Sequence, residues 1–288
     1  MTTVPSERAY GEEGREAELR SGPSSQPTPG LVSSGAHCDL LEARRGSWAE
    51  RVASLGRLEN RHPAVVHIAT TIVLWLALVA VMAALGRLLT EVLGPHAGID
   101  AAERRYNDWL EGQRAPSRED VSWVGSTLSG GLVIPIVVGI TCISLAIRRW
   151  WRLGAFFLTA ILIEVTAYRA LVTLVPRERP EVERLESLPL MHSYPSGHVA
   201  ASIAVYGSLA LVLAARVRDS RWRYAAYAIG AFMPLLVAAS RMYRGMHNPT
   251  DALAGVMMGV LAVVVAIFVA RVVGVTACRR ERAKEERA

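Results

Sequence analysis

Residues 240–274 read SRMYRGMHNPTD, Ser240 to Asp251, followed by ALAGVMMGVLAVVVAIFVARVVG, Ala252 to Gly274. The second part is a nearly uncharged run, long enough to cross a bilayer core, which takes about 20 residues of helix. The first part holds two arginines, a histidine and an aspartate directly before it. A membrane helix with reactive polar groups gathered at one end follows from this order.

Five more runs of the same character lie upstream, at about 64–85, 126–147, 153–175, 198–215 and 222–239. Backbone groups cannot stay unpaired in hydrocarbon, so each run is expected to be a helix. The expected fold is all-α, a polytopic bundle of six transmembrane helices spanning residues 63–275. The bulk numbers agree: 51% of residues are hydrophobic, 20% are charged, and the mean hydropathy is +0.26, too apolar for an ordinary soluble domain.

Orientation comes from the arginines. Arg44, Arg45, Arg51, Arg57 and Arg61 precede the first run, Arg148, Arg149 and Arg152 fill the second loop, and Arg216, Arg218, Arg221 and Arg223 the fourth. Arg271, Arg279, Arg280, Arg282 and Lys284 follow the sixth. The positive-inside rule makes that face cytoplasmic, with both termini, and leaves the first, third and fifth loops extracytoplasmic. The net charge of +6 is thereby topological and calls for no nucleic-acid partner.

Residues 1–62 are rich in Ser, Pro, Gly, Glu and Arg without apolar periodicity and are expected to form a disordered cytoplasmic tail. A stretch near Leu40–Leu58 has the amphipathic pattern of a surface-lying segment. Residues 276–288 form a basic cytoplasmic C-terminal tail. No signal peptide is expected, because the first apolar run begins far inside the chain. Cys38, Cys142 and Cys278 are scattered and give neither a disulfide framework nor a zinc site. The first external loop, about 86–125, is expected to form short helices at the membrane surface, in the place of a lid.

Three clusters carry chemistry. His247 stands four residues before Asp251, a carboxylate placed to hold its second ring nitrogen and so set the tautomer. Pro195-Ser196-Gly197-His198 reads as a helix start, with Ser196 as cap and Gly197 leaving room for an anion at the free amides. Arg179, before Pro180, and Arg241 add guanidiniums able to bind phosphate oxygens in bidentate fashion. Taken singly, each feature has a commonplace explanation: an acid in the first helical turn, a serine cap, an arginine at the interface.

Together, and in this order at successive external span ends, Arg179-Pro180, Pro195-Ser196-Gly197-His198 and Ser240-Arg241-x5-His247-x3-Asp251 resemble the three-part signature of the type-2 phosphatidic acid phosphatase superfamily, which also includes vanadium haloperoxidases. The second and third parts match fully. The first departs from the pattern, since Val172 stands where the family has a lysine, seven residues before the arginine. Arg169 and Arg177 are the candidate replacements.

The resemblance implies an integral-membrane lipid phosphatase working at the extracytoplasmic face of the plasma membrane without cofactor or metal. His247 would attack phosphorus, Asp251 orient it, and His198 protonate the leaving oxygen and then activate water. Arg179, Ser196, Gly197 and Arg241 would hold the phosphate. The substrate would be a lipid phosphate such as a prenyl diphosphate, phosphatidic acid or phosphatidylglycerol phosphate. The alternative is a non-catalytic phospholipid-binding or transport protein that keeps the phosphate site. A metal hydrolase fits poorly, because His192, His198, His247 and Asp251 lack a metal-ligand spacing. The sequence leaves the lipid and the oligomeric state open.

Overall fold

The computed structural model describes residues 39–55, 58, 61–187 and 192–286. Nine helices suffice to place the site: α1 (Trp48–Ala53), α2 (Pro63–His96), α3 (Ile99–Gly112), α4 (Pro116–Thr127), α5 (Val133–Ile147), α6 (Trp151–Leu174), α7 (Gly197–Ala214), α8 (Ser220–Tyr243) and α9 (Pro249–Glu285). Among the described residues five of them, α2, α6, α7, α8 and α9, are long and apolar enough to cross a membrane, which makes this a multi-pass membrane protein.

The expected second span, 126–147, is shorter than the sequence implied. Ser129-Gly130-Gly131 interrupts the apolar run, so α4 ends at Thr127 and α5 has only 15 residues. At 1.5 Å per residue α5 covers about 22 Å of a core about 30 Å thick. The six-span count thus resolves into five long helices and one short apolar helix.

Large apolar side chains such as Ile68, Val73, Leu76, Ile140, Phe232 and Val264 face outward, as lipid-bathed helices require. Between helices already surrounded by apolar lipid, close packing takes over from the hydrophobic effect, and small residues decide where backbones meet. On α9, a Cβ on Gly255 would stand 2.6 Å from the Ser196 carbonyl oxygen, and one on Gly259 2.8 Å from that of Ala200. These two glycines let the first turn of α7 lie directly on the start of α9. Met82, Leu171, Met258 and Ala262 complete this seam from α2, α6 and α9.

The N-terminal segment needs correction where it is described. Residues 1–38 lie outside the described residues, but Asp39–Leu41 form a 3-10 turn and 48–53 a helix. Leu41 is buried with Phe156 and Phe157, and Ala49 and Ala53 pack with Val272. The carbonyls of Leu40 and Leu41 accept bonds from Arg271 and Arg152. This stretch has enough apolar partners to offset its ordering entropy, which the bare composition did not reveal. The basic C-terminal stretch continues α9 as helix to Glu285.

The end of α6, the starts of α7 and α9, and the end of α8 come together at one end of the bundle. The loop expected to form short helices contains α3 and α4, and both lie against that end. Gly125 on α4 makes room for the Ser240 side chain, so α4 sits directly on the close of α8.

Candidate active site

Asn248 caps α9, and its capping box fixes the first turn: the Asp251 carboxylate accepts the Asn248 amide at 2.9 Å. The other oxygen of Asp251 is 2.6 Å from Arg177 Nη1, and Arg177 Nη2 is 2.6 Å from Glu103 on α3. Glu103 in turn accepts from the Thr250 amide and hydroxyl. Burial opposes the charge on Arg177, but Asp251 and Glu103 outweigh it and hold the guanidinium above its ordinary value. Arg177 is a structural tie between α3, α9 and the segment after α6. It is not a spare cation for phosphate.

The expected Asp251–His247 pair is not formed. His247 Nδ1 lies 2.9 Å from the Ser193 carbonyl oxygen instead. A carbonyl only accepts, so Nδ1 carries the proton and Nε2 keeps its lone pair. The capping turn explains the difference, because it turns the Asp251 carboxylate back on its own helix start. The tautomer expected from the sequence is thus set, by a different group.

Ser193 belongs to the segment that leads into α7, and its amide donates to Arg177 O at 2.8 Å. Tyr194 donates to Met82 O at 2.8 Å, and the Ser196 amide to Asp251 O at 3.0 Å. Burial, with the Asp251 charge behind it, pushes the Tyr194 phenol up to about 12, so it remains a donor. The Pro195-Ser196-Gly197-His198 turn is therefore fastened to α2 and α9 before any ligand arrives.

Ser196 occupies the N-cap of α7, but its side chain makes no capping bond, and its buried Oγ has no partner among the described residues. Packing gives Gly197 a reason of its own beside the expected anion approach: the Tyr168 ring of α6 fills the space where its Cβ would be.

Arg241 is wholly buried. Its Nη1 donates to Ser126 Oγ, 2.7 Å away, and to Glu186, while Nε and Nη2 have no partner among the described residues. A buried guanidinium with two donors left over has the chemistry to take an anion, and so has the unpaired hydroxyl of Ser196. Arg179 donates to the Met246 and His192 carbonyls, which aim it from the other side.

Charge binds these groups together. His247 feels Arg241, Arg179 and His198, and His198 feels Arg241, Glu186 and Arg179. Burial, followed by the two arginines and His198, holds the His247 imidazole well below its ordinary value. His247 is neutral at physiological pH, as a nucleophile or base must be.

Of the residues expected at the site, His198, His247, Arg179, Ser196, Gly197 and Arg241 converge. Asp251 adjoins them through the capping turn. Arg169 is exposed on α6. Glu186, Ser126, Ser193, Glu103 and Arg244 escaped the sequence reading. Glu186 bridges Arg241 and Arg244, and burial, which would raise its carboxyl, is outweighed by Arg241, Ser126 and Arg244, leaving it below the usual carboxylate range. A polar cavity of about 420 Å³ opens beside the Arg177–Glu103 ion pair, lined by both of these and by Asn107, Arg179 and Asn248 among others.

Fold and site define a class, the polytopic helical membrane protein with arginines and histidines gathered in a largely buried cluster at one end. Residues 153–273 match the model of the PAP2 superfamily, so the resemblance carried by the three motifs holds for that segment of the chain. Phosphatidylglycerophosphatase B of Bacillus subtilis (strain 168) is 27% identical over 151 residues, 48% of this chain and 71% of that protein. Undecaprenyl-diphosphatase of Sulfolobus acidocaldarius is 30% identical over 132 residues, 42% of this chain and 57% of that protein. The crystal structure of a transmembrane PAP2-type phosphatidylglycerolphosphate phosphatase from Bacillus subtilis superposes with a TM-score of 0.56 at 24% identity. It covers 68% of this chain and 94% of that one, and establishes the likeness of fold.

Proposed function

We propose that this protein is an integral-membrane phosphatase that cleaves a phosphomonoester or diphosphate from a lipid. The observation that carries the proposal is the pairing of a neutral His247, its Nε2 lone pair free, with the idle buried donors of Arg241 and Ser196. The relatives, named for phosphatidylglycerol phosphate and undecaprenyl diphosphate hydrolysis, support a lipid phosphate as substrate.

His247 Nε2 attacks phosphorus, and the bond to the leaving oxygen breaks as His198, protonated for this step, gives it a proton. Water then attacks the phosphohistidine, His198 takes one of its protons, and inorganic phosphate leaves with His247 restored. Arg241, Arg179, Ser196 Oγ and the Gly197 amide meet the phosphoryl oxygens as charge develops, one such donor being worth about 3–4 kcal/mol. These donors supply the charge stabilisation without a metal ion. Asp251 acts at one remove, by fixing the turn that presents His247 and by anchoring Arg177. The arginine pattern of the loops favours an extracytoplasmic site with both termini inside.

Phosphate release by the detergent-purified full chain, with EDTA present, tests this on prenyl diphosphate, phosphatidic acid and phosphatidylglycerol phosphate. Release that disappears in His247→Ala is expected. No release from any of the three by folded protein would contradict the proposal and favour a binding or transport role.

A further inference from the structure

We propose that Tyr168 donates a hydrogen bond to the bound phosphate from the position that a lysine at residue 172 would otherwise serve. This inference rests on the phosphatase reading above. Tyr168 lies one helical turn before Val172 on the same face of α6. Side chains on a helix lean toward its N-terminus, so a long chain at 172 would lie back over the turn that holds residue 168. Val172 itself is buried and aliphatic and donates nothing.

The tyrosine ring is placed by contact with the site. A Cβ on Gly197 would meet Tyr168 Cε2 at 2.7 Å and Cζ at 2.9 Å. The ring edge that carries the hydroxyl therefore rests on the first turn of α7, between Ser196 and His198 in the chain. Tyr168 interacts electrostatically with both Arg179 and Arg241, the two guanidiniums of the phosphate site. Among the described residues its hydroxyl has no hydrogen-bond partner.

The cations first considered for the task are placed elsewhere. Arg177 is engaged by Asp251 and Glu103, and Arg169 points to the exposed side of α6. A phenol contributes a neutral donor where a lysine would add a charge. Its bond to a phosphoryl oxygen strengthens as negative charge builds, so its loss is felt in kcat more than in KM.

The test compares wild type, Tyr168→Phe, Tyr168→Phe with Val172→Lys, and His247→Ala, as full-length protein in detergent. Orthovanadate binding and turnover of the three lipids are the readouts. Tyr168→Phe is expected to keep its melting temperature, weaken orthovanadate at least about tenfold, and lower kcat about tenfold to hundredfold at little change in KM. Adding Val172→Lys is expected to recover part of the loss, which a merely structural tyrosine would not allow. If Tyr168→Phe binds vanadate and turns over like wild type while His247→Ala is dead, the inference is overturned and the phosphatase reading stands. If wild type neither binds vanadate nor releases phosphate, both fall together.

Discussion

The Nδ1 of His247 and the carbonyl oxygen of Ser193 stand 2.9 Å apart, so main chain leading into α7 holds the imidazole, and among the described residues no carboxylate bonds to it. Asp251 is engaged with Arg177 and the Asn248 amide. The two motifs are thus interlocked: the segment before α7 sets the tautomer of a histidine that the turn before α9 presents.

Asp251→Asn is consequently expected to act on stability as well as on rate. It removes one partner of a buried ion pair, a loss that typically costs about 3–5 kcal/mol, and Glu103 softens it by keeping its own bond to Arg177. At about 2–4 °C per kcal/mol for a domain of this size, a fall of at least about 5 °C in the detergent melting temperature is expected. An unchanged melting temperature with a collapsed rate would point back to a direct Asp251–His247 pair.

Glu186 holds Arg241 and Arg244 at once and stays ionised at neutral pH. A full negative charge therefore sits on the guanidinium proposed to receive phosphate. Glu186→Gln is expected to tighten orthovanadate binding by about fivefold to tenfold, or about 1–1.4 kcal/mol. Weaker binding would instead make Glu186 the residue that aims Arg241.

Acid should destabilise the protein through His247. Burial first, then Arg241, Arg179 and His198, depress its folded pKa well below 6.5, against the Ser193 hydrogen bond. Above about pH 6.5 neither the folded nor the unfolded state carries the proton, and the stability contribution is complete. Below that value the unfolded state takes the proton first, and stability is lost as the pH falls. Melting temperatures between about pH 7.5 and pH 5.5 are expected to fall more steeply for wild type than for His247→Asn. Equal slopes would contradict a buried neutral imidazole.

Gly255 tests the packing that builds the site. A methyl group there meets the Ser196 carbonyl at 2.6 Å, and backbone cannot turn aside as a side chain can. Gly255→Ala is expected to cost about 1–3 kcal/mol and to displace the α7 start from α9, lowering the rate as well. Full stability with full activity would show that the seam yields freely.

The membrane helices and several of the residues that come together at the candidate site were legible because both rest on local pattern. Apolar length marks a span, and His198, Arg241 and His247 lie in compact motifs at span ends. What the sequence hid is long-range. Glu186 and Glu103 look like any loop acids until folding sets them on arginines far along the chain. The ring of Tyr168 against Gly197 has no counterpart in periodicity, since it depends on how closely α6 and α7 approach. The shortness of α5 was visible in Ser129-Gly130-Gly131, but hydropathy averaged over that break. The amphipathic pattern near Leu40–Leu58 was visible, but it read as a surface-lying segment because the apolar partners of 39–41 and 48–53 lie far away on α6 and α9.

The central claim is a covalent phosphoryl group on His247, and brief reaction with a substrate carrying labelled phosphorus, quenched in alkali, tests it most directly. The expected result is an acid-labile, alkali-stable label on the peptide containing His247, formed by wild type and absent from His247→Ala. Turnover by wild type with no label on that peptide, or a label that persists in His247→Ala, would contradict it.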